Sequence, residues 1–352
     1  MTTQKAIVSV VLICAALCIV YLFAAARPLG SEYQLEPEWN VMVSPQVSPP
    51  AAHDTLISYK LGQTIGYFTP DGKITSFTSF PFKAAISNTY YAPYTADSSS
   101  VTFYTTDGTA TGQLSVAGFP YFADDRIYVF LPGGNAFSRC AADGTVLWTY
   151  RRAVPITAFA SSAGGTIAGY ADGSIHSFTA DGTLDHTFSP GGSDYPVVLG
   201  AALSPSGTYL ASISGRNRQR FVLAQKDGGQ IKIIKHFFLP ADDAQQKLVQ
   251  FSADGKNVYY ATTDEFGIVS VDGKQHETIP VPGQVLSVRE IADGAFVLSK
   301  TQERYTVTFI ESFGTFAGSF SFSAQTAFIQ TAGNMLFVGR DTTISRISVN
   351  KR

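Results

Sequence analysis

The sequence predicts an all-β fold: a β-propeller of eight four-stranded blades with 3+1 closure, preceded by one N-terminal transmembrane helix. Three observations carry the propeller. Of 352 residues, 45% are hydrophobic and only 15% charged, with 31 Gly, 17 Pro, 17 Tyr and 26 Phe, a composition suited to many short strands joined by tight turns. Runs of β type then end repeatedly in Asp-Gly or a close relative, at Asp71, Asp107, Asp143, Asp181, Asp227, Asp272 and Phe313, so that the interval is about 40 residues. Between two such turns the chain spells four short strands and three turns, which is one blade. The composition also excludes other classes. Disorder needs low hydrophobicity and high net charge. Helical solenoids and coiled coils need Ala, Glu, Lys, Leu and Arg at helical spacing, which is missing. With 25 basic against 27 acidic side chains and a net charge of −2, no extended nucleic-acid surface is expected.

Taken in order, residues 1–5 read as a short cytoplasmic N-terminus. The run from Ala6 to Ala26 (AIVSVVLICAALCIVYLFAAA) is uncharged and apolar, long enough at ~1.5 Å per residue to cross a ~30 Å hydrocarbon core. Lys5 precedes it, and Arg27, Glu32, Glu36 and Glu38 follow. That charge order places the N-terminus in the cytoplasm and the bulk of the chain outside. The alternative is cleavage near Ala26, since Ala24-Ala25-Ala26 fits a small-x-small site, although the apolar run exceeds a signal peptide's core. A lipid attachment fits less well, because Ile13 and Leu17 precede Cys14 and Cys18, where a small residue is required. Residues 27–37 read as a linker and 38–352 as the propeller domain. Cys140 is then the lone thiol of the soluble part and reads as a small buried hydrophobe.

Within the domain, PITAFASS, TIAGYA, SIHSFTA and TLDHTF, separated by Gly164-Gly165, Asp172-Gly173 and Asp181-Gly182, define a blade. VVLGAALSPSGTYLASIS and LVQFSADGKNVYYATT repeat its opening pair. Each of the seven Asp-Gly-type turns is expected to close a third-to-fourth-strand hairpin. After Phe313 the chain ends before another turn of this period, so TAFIQTAGNMLFVGRDTTISRISV supplies three strands only. At the other end, Trp39 in EWNVMVS occupies a place like that of Trp148 in the outer strand TVLWTY. Trp39 to Val43 is therefore expected to supply the fourth strand of the last blade. Seven blades is the alternative, if that strand pairs elsewhere.

These repeats resemble known families. FPYFADDRIYVFLPGGNAFSRCAADGTVLWTY is similar to a pyrroloquinoline-quinone-type propeller repeat, and SPPAAHDTLISYKLGQTIGYFTPDGKI repeats it more loosely. LSPSGTYLAS and FSADGKNVYYAT resemble the F-S-P-D-G-K motif of WD-like and Tol-system periplasmic propellers. The nearest analogy is the propeller subunit of the outer-membrane barrel assembly machinery, a lipoprotein scaffold that docks another protein. The resemblance implies the fold and leaves function open. Quinone-dependent dehydrogenation would need a Ca²⁺ site, a general-base Asp and a Trp floor. Both Trp here are assigned to outer strands and long insertions are missing, so no cofactor is expected.

Two residue sets invite a functional reading. His176 and His186 lie symmetrically about Asp181, which places them opposite each other across a hairpin, near enough to share a metal. No third ligand is apparent, and an ordinary polar pair is the simpler account, so no metal site is assigned. Arg216, Arg218 and Arg220 open a basic run that continues through Lys226, Lys232 and Lys235, opposed by Asp227 alone. If extended, the three arginines share one face, a docking patch for an anionic partner or a lipid head-group; the simpler account is a solvated loop and blade edge whose neighbours supply acids. The expected function is that of a membrane-tethered, extracytoplasmic (periplasmic) scaffold that binds a protein of the cell envelope and is not an enzyme. A ligand or glycan sensor, or an enzyme with its site at the ring centre, is the alternative.

Overall fold

The computed structural model describes residues 14–21, 33–51, 53–240, 243–311 and 313–351. Residues 14–21 are helical. The rest of the segment read as a membrane span lies outside the described residues, and no described helix is long and apolar enough to cross a membrane.

From Tyr33 onward the described chain forms 31 strands in eight antiparallel sheets. Strand β1 (Tyr33–Met42) leads to the first blade, β2 (Ile57–Leu61), β3 (Thr64–Phe68) and β4 (Ile74–Ser79). The second blade is β5 (Lys83–Ile86), β6 (Tyr90–Tyr94), β7 (Val101–Thr105) and β8 (Ala110–Leu114). The third is β9 (Phe119–Ala123), β10 (Arg126–Phe130), β11 (Ala136–Cys140) and β12 (Val146–Arg151). The fourth is β13 (Ile156–Ser162), β14 (Gly165–Tyr170), β15 (Ile175–Phe178) and β16 (Leu184–Phe188). The fifth has β17 (Tyr195–Leu203), β18 (Tyr209–Arg216), β19 (Arg220–Asp227) and β20 (Gln230–Phe238). The sixth has β21 (Val249–Phe251), β22 (Asn257–Ala261), β23 (Glu265–Ser270) and β24 (His276–Pro280). The seventh has β25 (Gln284–Ile291), β26 (Gly294–Thr301), β27 (Arg304–Glu311) and β28 (Thr315–Ser323). The eighth combines β29 (Ala327–Ala332), β30 (Met335–Arg340) and β31 (Thr343–Lys351) with β1.

The ring closes as the sequence predicts. β1 pairs antiparallel with β31, with Trp39 opposite Arg346. The strand nevertheless begins at Tyr33, so residues 33–37 belong to the last blade and not to a linker. Closure by an N-terminal strand removes an otherwise unpaired edge.

The turns at Asp107, Asp143, Asp181 and Asp272 share one mechanism. In the turn after β7, Gly108 N–H donates to Thr105 O at 3.0 Å, while Asp107 Oδ1 accepts from Thr109 N–H at 3.0 Å. Gly takes the left-handed conformation, with φ near 90° at Gly72, Gly144 and Gly182, where a Cβ is disfavoured. Two of these glycines also seat a tryptophan. A Cβ on Gly182 would lie 2.4 Å from the Trp148 ring, and one on Gly72 would lie 3.2 Å from Trp39. The outer-strand Trp of one blade therefore packs on the turn of the next.

The first blade departs from the pattern, having three paired strands where the other seven sheets have four. Its Asp71-Gly72 turn joins the last two strands, as in the other blades, so the strand it lacks among the described residues is the first. Around the ring, first strands of successive blades pack on one another, and here β2 takes that place between β29 and β5. The segment before it runs past β4 instead, with Ser48 N–H donating to Ile74 O at 2.9 Å. Side chains replace the missing ladder. Asn88 Oδ1 accepts from Ser58 N–H at 3.0 Å, and Gln330 Nε2 donates to Ser58 O at 3.4 Å. Gln330 also accepts from Arg289 Nε at 2.8 Å. The arc Arg289–Gln330–Ser58–Asn88 thus links the seventh, eighth, first and second blades.

Candidate functional site

On one face of the ring the first strands begin and the second strands end. That face carries Arg216, Arg218 and Arg220, because β18 ends at Arg216 and β19 begins at Arg220. The expectation of one extended stretch across the three is corrected. Gly215 (φ 98°), Asn217 (φ 59°) and Arg218 (φ 64°) are left-handed, so the chain reverses there and the arginines crown a hairpin.

The reversal gives each arginine its own task. Arg216 is exposed and lies opposite Tyr195 in the β17–β18 register. The Arg218 guanidinium sits over the Phe238 ring, 4.5 Å from its centroid. Both rings are open to solvent, Tyr195 at 59% and Phe238 at 47% exposure. Arg220 is half-buried, and its Nη1 donates to Pro190 O at 2.9 Å, which ties the hairpin to the loop before β17. Ser193 Oγ pins the tip from the same loop, donating to Arg216 O at 2.9 Å. Two arginines and two aromatic rings thus form an exposed cluster on a braced turn. The sequence reading found the arginines and missed Tyr195 and Phe238. No local signal marks them, since Tyr and Phe are common strand residues at any position.

The remainder of the basic run is divided by the fold. Lys226 pairs with Asp185 at 2.6 Å, and Lys232 and Lys235 lie on the outer strand β20.

His176 and His186 are not brought together. His176 pairs with Thr187, whereas His186 pairs with Ser177, because the register shifts between Ser177 and Phe178. One residue of slip moves a side chain to the other face of a sheet. His176 Nδ1 bonds the Tyr150 hydroxyl at 2.7 Å, and burial pushes its pKa down. His186 Nδ1 lies 3.0 Å from Asp185. Cys140 is buried, and burial pushes its thiol up to about 11, which keeps it protonated and unreactive near neutrality.

A cleft of about 370 Å³ lies between the sixth and seventh blades, with Asp254, Glu290 and Glu311 in its lining. These carboxylates are engaged within the fold. Asp254 Oδ1 accepts from Ser252 Oγ at 2.7 Å, Glu290 Oε2 from Ala253 N–H at 2.8 Å, and Glu311 Oε1 from the Tyr33 hydroxyl at 3.1 Å.

Comparison with known proteins agrees with this architecture. The family whose sequence profile matches the chain, over residues 1–352, is described as beta-propeller protein. An uncharacterized protein of Treponema pallidum (strain Nichols) is 29% identical over 343 residues, spanning 94% of this chain and 91% of that protein. Among solved structures, BamB from Moraxella catarrhalis superposes with a TM-score of 0.59, covering 90% of this chain and 100% of that one, at 12% identity. At that identity the likeness concerns the fold.

Proposed function

This chain belongs to the beta-propeller protein family, and on that premise we propose that it acts as a protein-binding scaffold held at the outer side of a cytoplasmic membrane. The observation that carries the proposal is the cluster Arg216, Arg218, Tyr195 and Phe238. Interface energy concentrates in a few anchors, with Trp, Tyr and Arg enriched among them. A ring of rigid blades can present such anchors on a turn without altering its core. The membrane attachment is supported by the apolar run from Ala6 to Ala26, and the outward orientation by its flanking charges.

The test is to isolate the full chain from its native membrane with its associated proteins and compare it with Arg216→Glu/Arg218→Glu. Capture by the original protein should weaken as salt rises, and the double variant should lose most of it. Its melting temperature should hardly move, since exposed substitutions usually stay within about 0.5 kcal/mol. Retention of every associated protein by the double variant would overturn the proposal. For the orientation, protease added to intact spheroplasts should digest or release the propeller. Protection until lysis would mean that it faces the cytoplasm.

A further inference from the structure

A second patch lies on the same face, where the first strands of the second and third blades begin. Phe82 and Phe119 are 41% and 48% exposed there, and the Tyr94 ring stands between them, 6.4 Å from each centroid. Lys83 Nζ is 5.2 Å from the Phe82 centroid and 5.4 Å from that of Phe119. Lys60 reaches the same place from β2. Its Nζ donates to Ala84 O at 2.8 Å and lies 5.3 Å from the Phe80 centroid. Among the described residues neither lysine is paired with a carboxylate.

We infer that this patch is a docking site for an acidic extended segment of a partner protein, with carboxylates set against Lys60 and Lys83 and apolar side chains on Phe82 and Phe119. Charge complementarity selects the occupant. Two ammonium groups near one another repel, and burial together with Lys83's charge lowers the pKa of Lys60. A carboxylate placed between them relieves that repulsion in a partly desolvated setting, where charge-assisted bonds are strong. The rings supply the apolar area that turns attraction into a specific contact. A basic partner would meet uncompensated cations, and a wholly apolar one would leave both lysines desolvated. The inference rests on the scaffold reading but uses residues distinct from the blade-five hairpin.

The test uses the full chain in neutral detergent and the peptide Gly-Glu-Phe-Glu-Phe-Glu-Gly-amide carrying fluorescein on its N-terminal amine, followed by anisotropy. Saturable binding that weakens with salt is expected. Lys60→Gln/Lys83→Gln and Phe82→Ala/Phe119→Ala should each weaken it about tenfold or more, with unchanged circular dichroism. Lys83→Gln alone, at an exposed position, should weaken it severalfold and guards against loss of folding. Arg216→Glu/Arg218→Glu should leave peptide binding unchanged, so that failure at one patch is distinguishable from failure at the other. The inference is overturned if the labelled peptide does not bind. It is equally overturned if the Gln-for-Glu peptide binds as well, or if the lysine variants bind like the original protein.

Discussion

Among single residues, side chains of one type divide into exposed groups and braces. Arg220, with its bond to Pro190 O, is a brace. Arg220→Ala should therefore cost about 1–2 kcal/mol in urea unfolding, whereas Arg216→Ala should cost almost nothing. Equal effects would mean that the hairpin is not held in this way. Cys140 offers a check on burial through pH. Its folded pKa lies above the unfolded value, so the stability it contributes is complete below about pH 8.5 and is lost as pH rises toward about 11. In a Cys14→Ser/Cys18→Ser background, iodoacetamide at pH 8 should modify the folded chain far more slowly than the unfolded one. Rapid modification of the folded chain would place the thiol at the surface. The sequence identified the cysteine as buried and the arginines as a group. It did not reveal the two exposed rings, Tyr195 and Phe238, because a Tyr or Phe at a strand end reads like any other strand residue.

Strands and turns carried most of what was legible. At Asp107, Asp143, Asp181 and Asp272 the turn has a local mechanism: the carboxylate accepts an N–H two residues on, and glycine takes a positive φ. Its recurrence could therefore be read directly as blades. Register was less accessible. A single irregularity between Ser177 and Phe178 separates two histidines that simple symmetry places face to face. Likewise, the left-handed residues at 215, 217 and 218 convert an apparent strand into a hairpin. The Trp-on-turn contact makes a comparative prediction. Gly72 and Gly182 share φ 90°, so Ala carries the same backbone penalty at each. The added methyl would stand 2.4 Å from Trp148 at Gly182 but 3.2 Å from Trp39 at Gly72. Gly182→Ala should thus lower thermal stability more than Gly72→Ala, measured by calorimetry. The reverse order would show that these tryptophans do not pack as described.

For the whole molecule, the ring is a closed scaffold whose closure depends on β1. Deleting residues 33–42 should expose the edge of β31 and cause aggregation or a large fall in melting temperature. A deletion with unchanged melting would contradict closure. The eight-blade count and the closing strand were readable because the Asp-Gly-type turns recur at about 40 residues and Trp39 lies in a run like the outer strand of Trp148, a reading that the β1–β31 pairing bears out. That the first blade has three paired strands among the described residues was not readable from the repeat period alone, although Pro45, Pro49 and Pro50 in the preceding segment disfavour a paired strand. The ring sets Tyr195, Phe238, Phe82 and Phe119, with Arg216 and Arg218, on one face. The central claim, that partners dock there, is tested most directly by site-specific photo-crosslinking in native membranes. A benzoyl-phenylalanine would replace Tyr195 or Phe238 on that face, and Lys274, in a turn on the opposite face, for comparison. The account predicts a discrete crosslinked partner from the first two positions and none from Lys274. A partner captured from Lys274, with none from Tyr195 or Phe238, would contradict it.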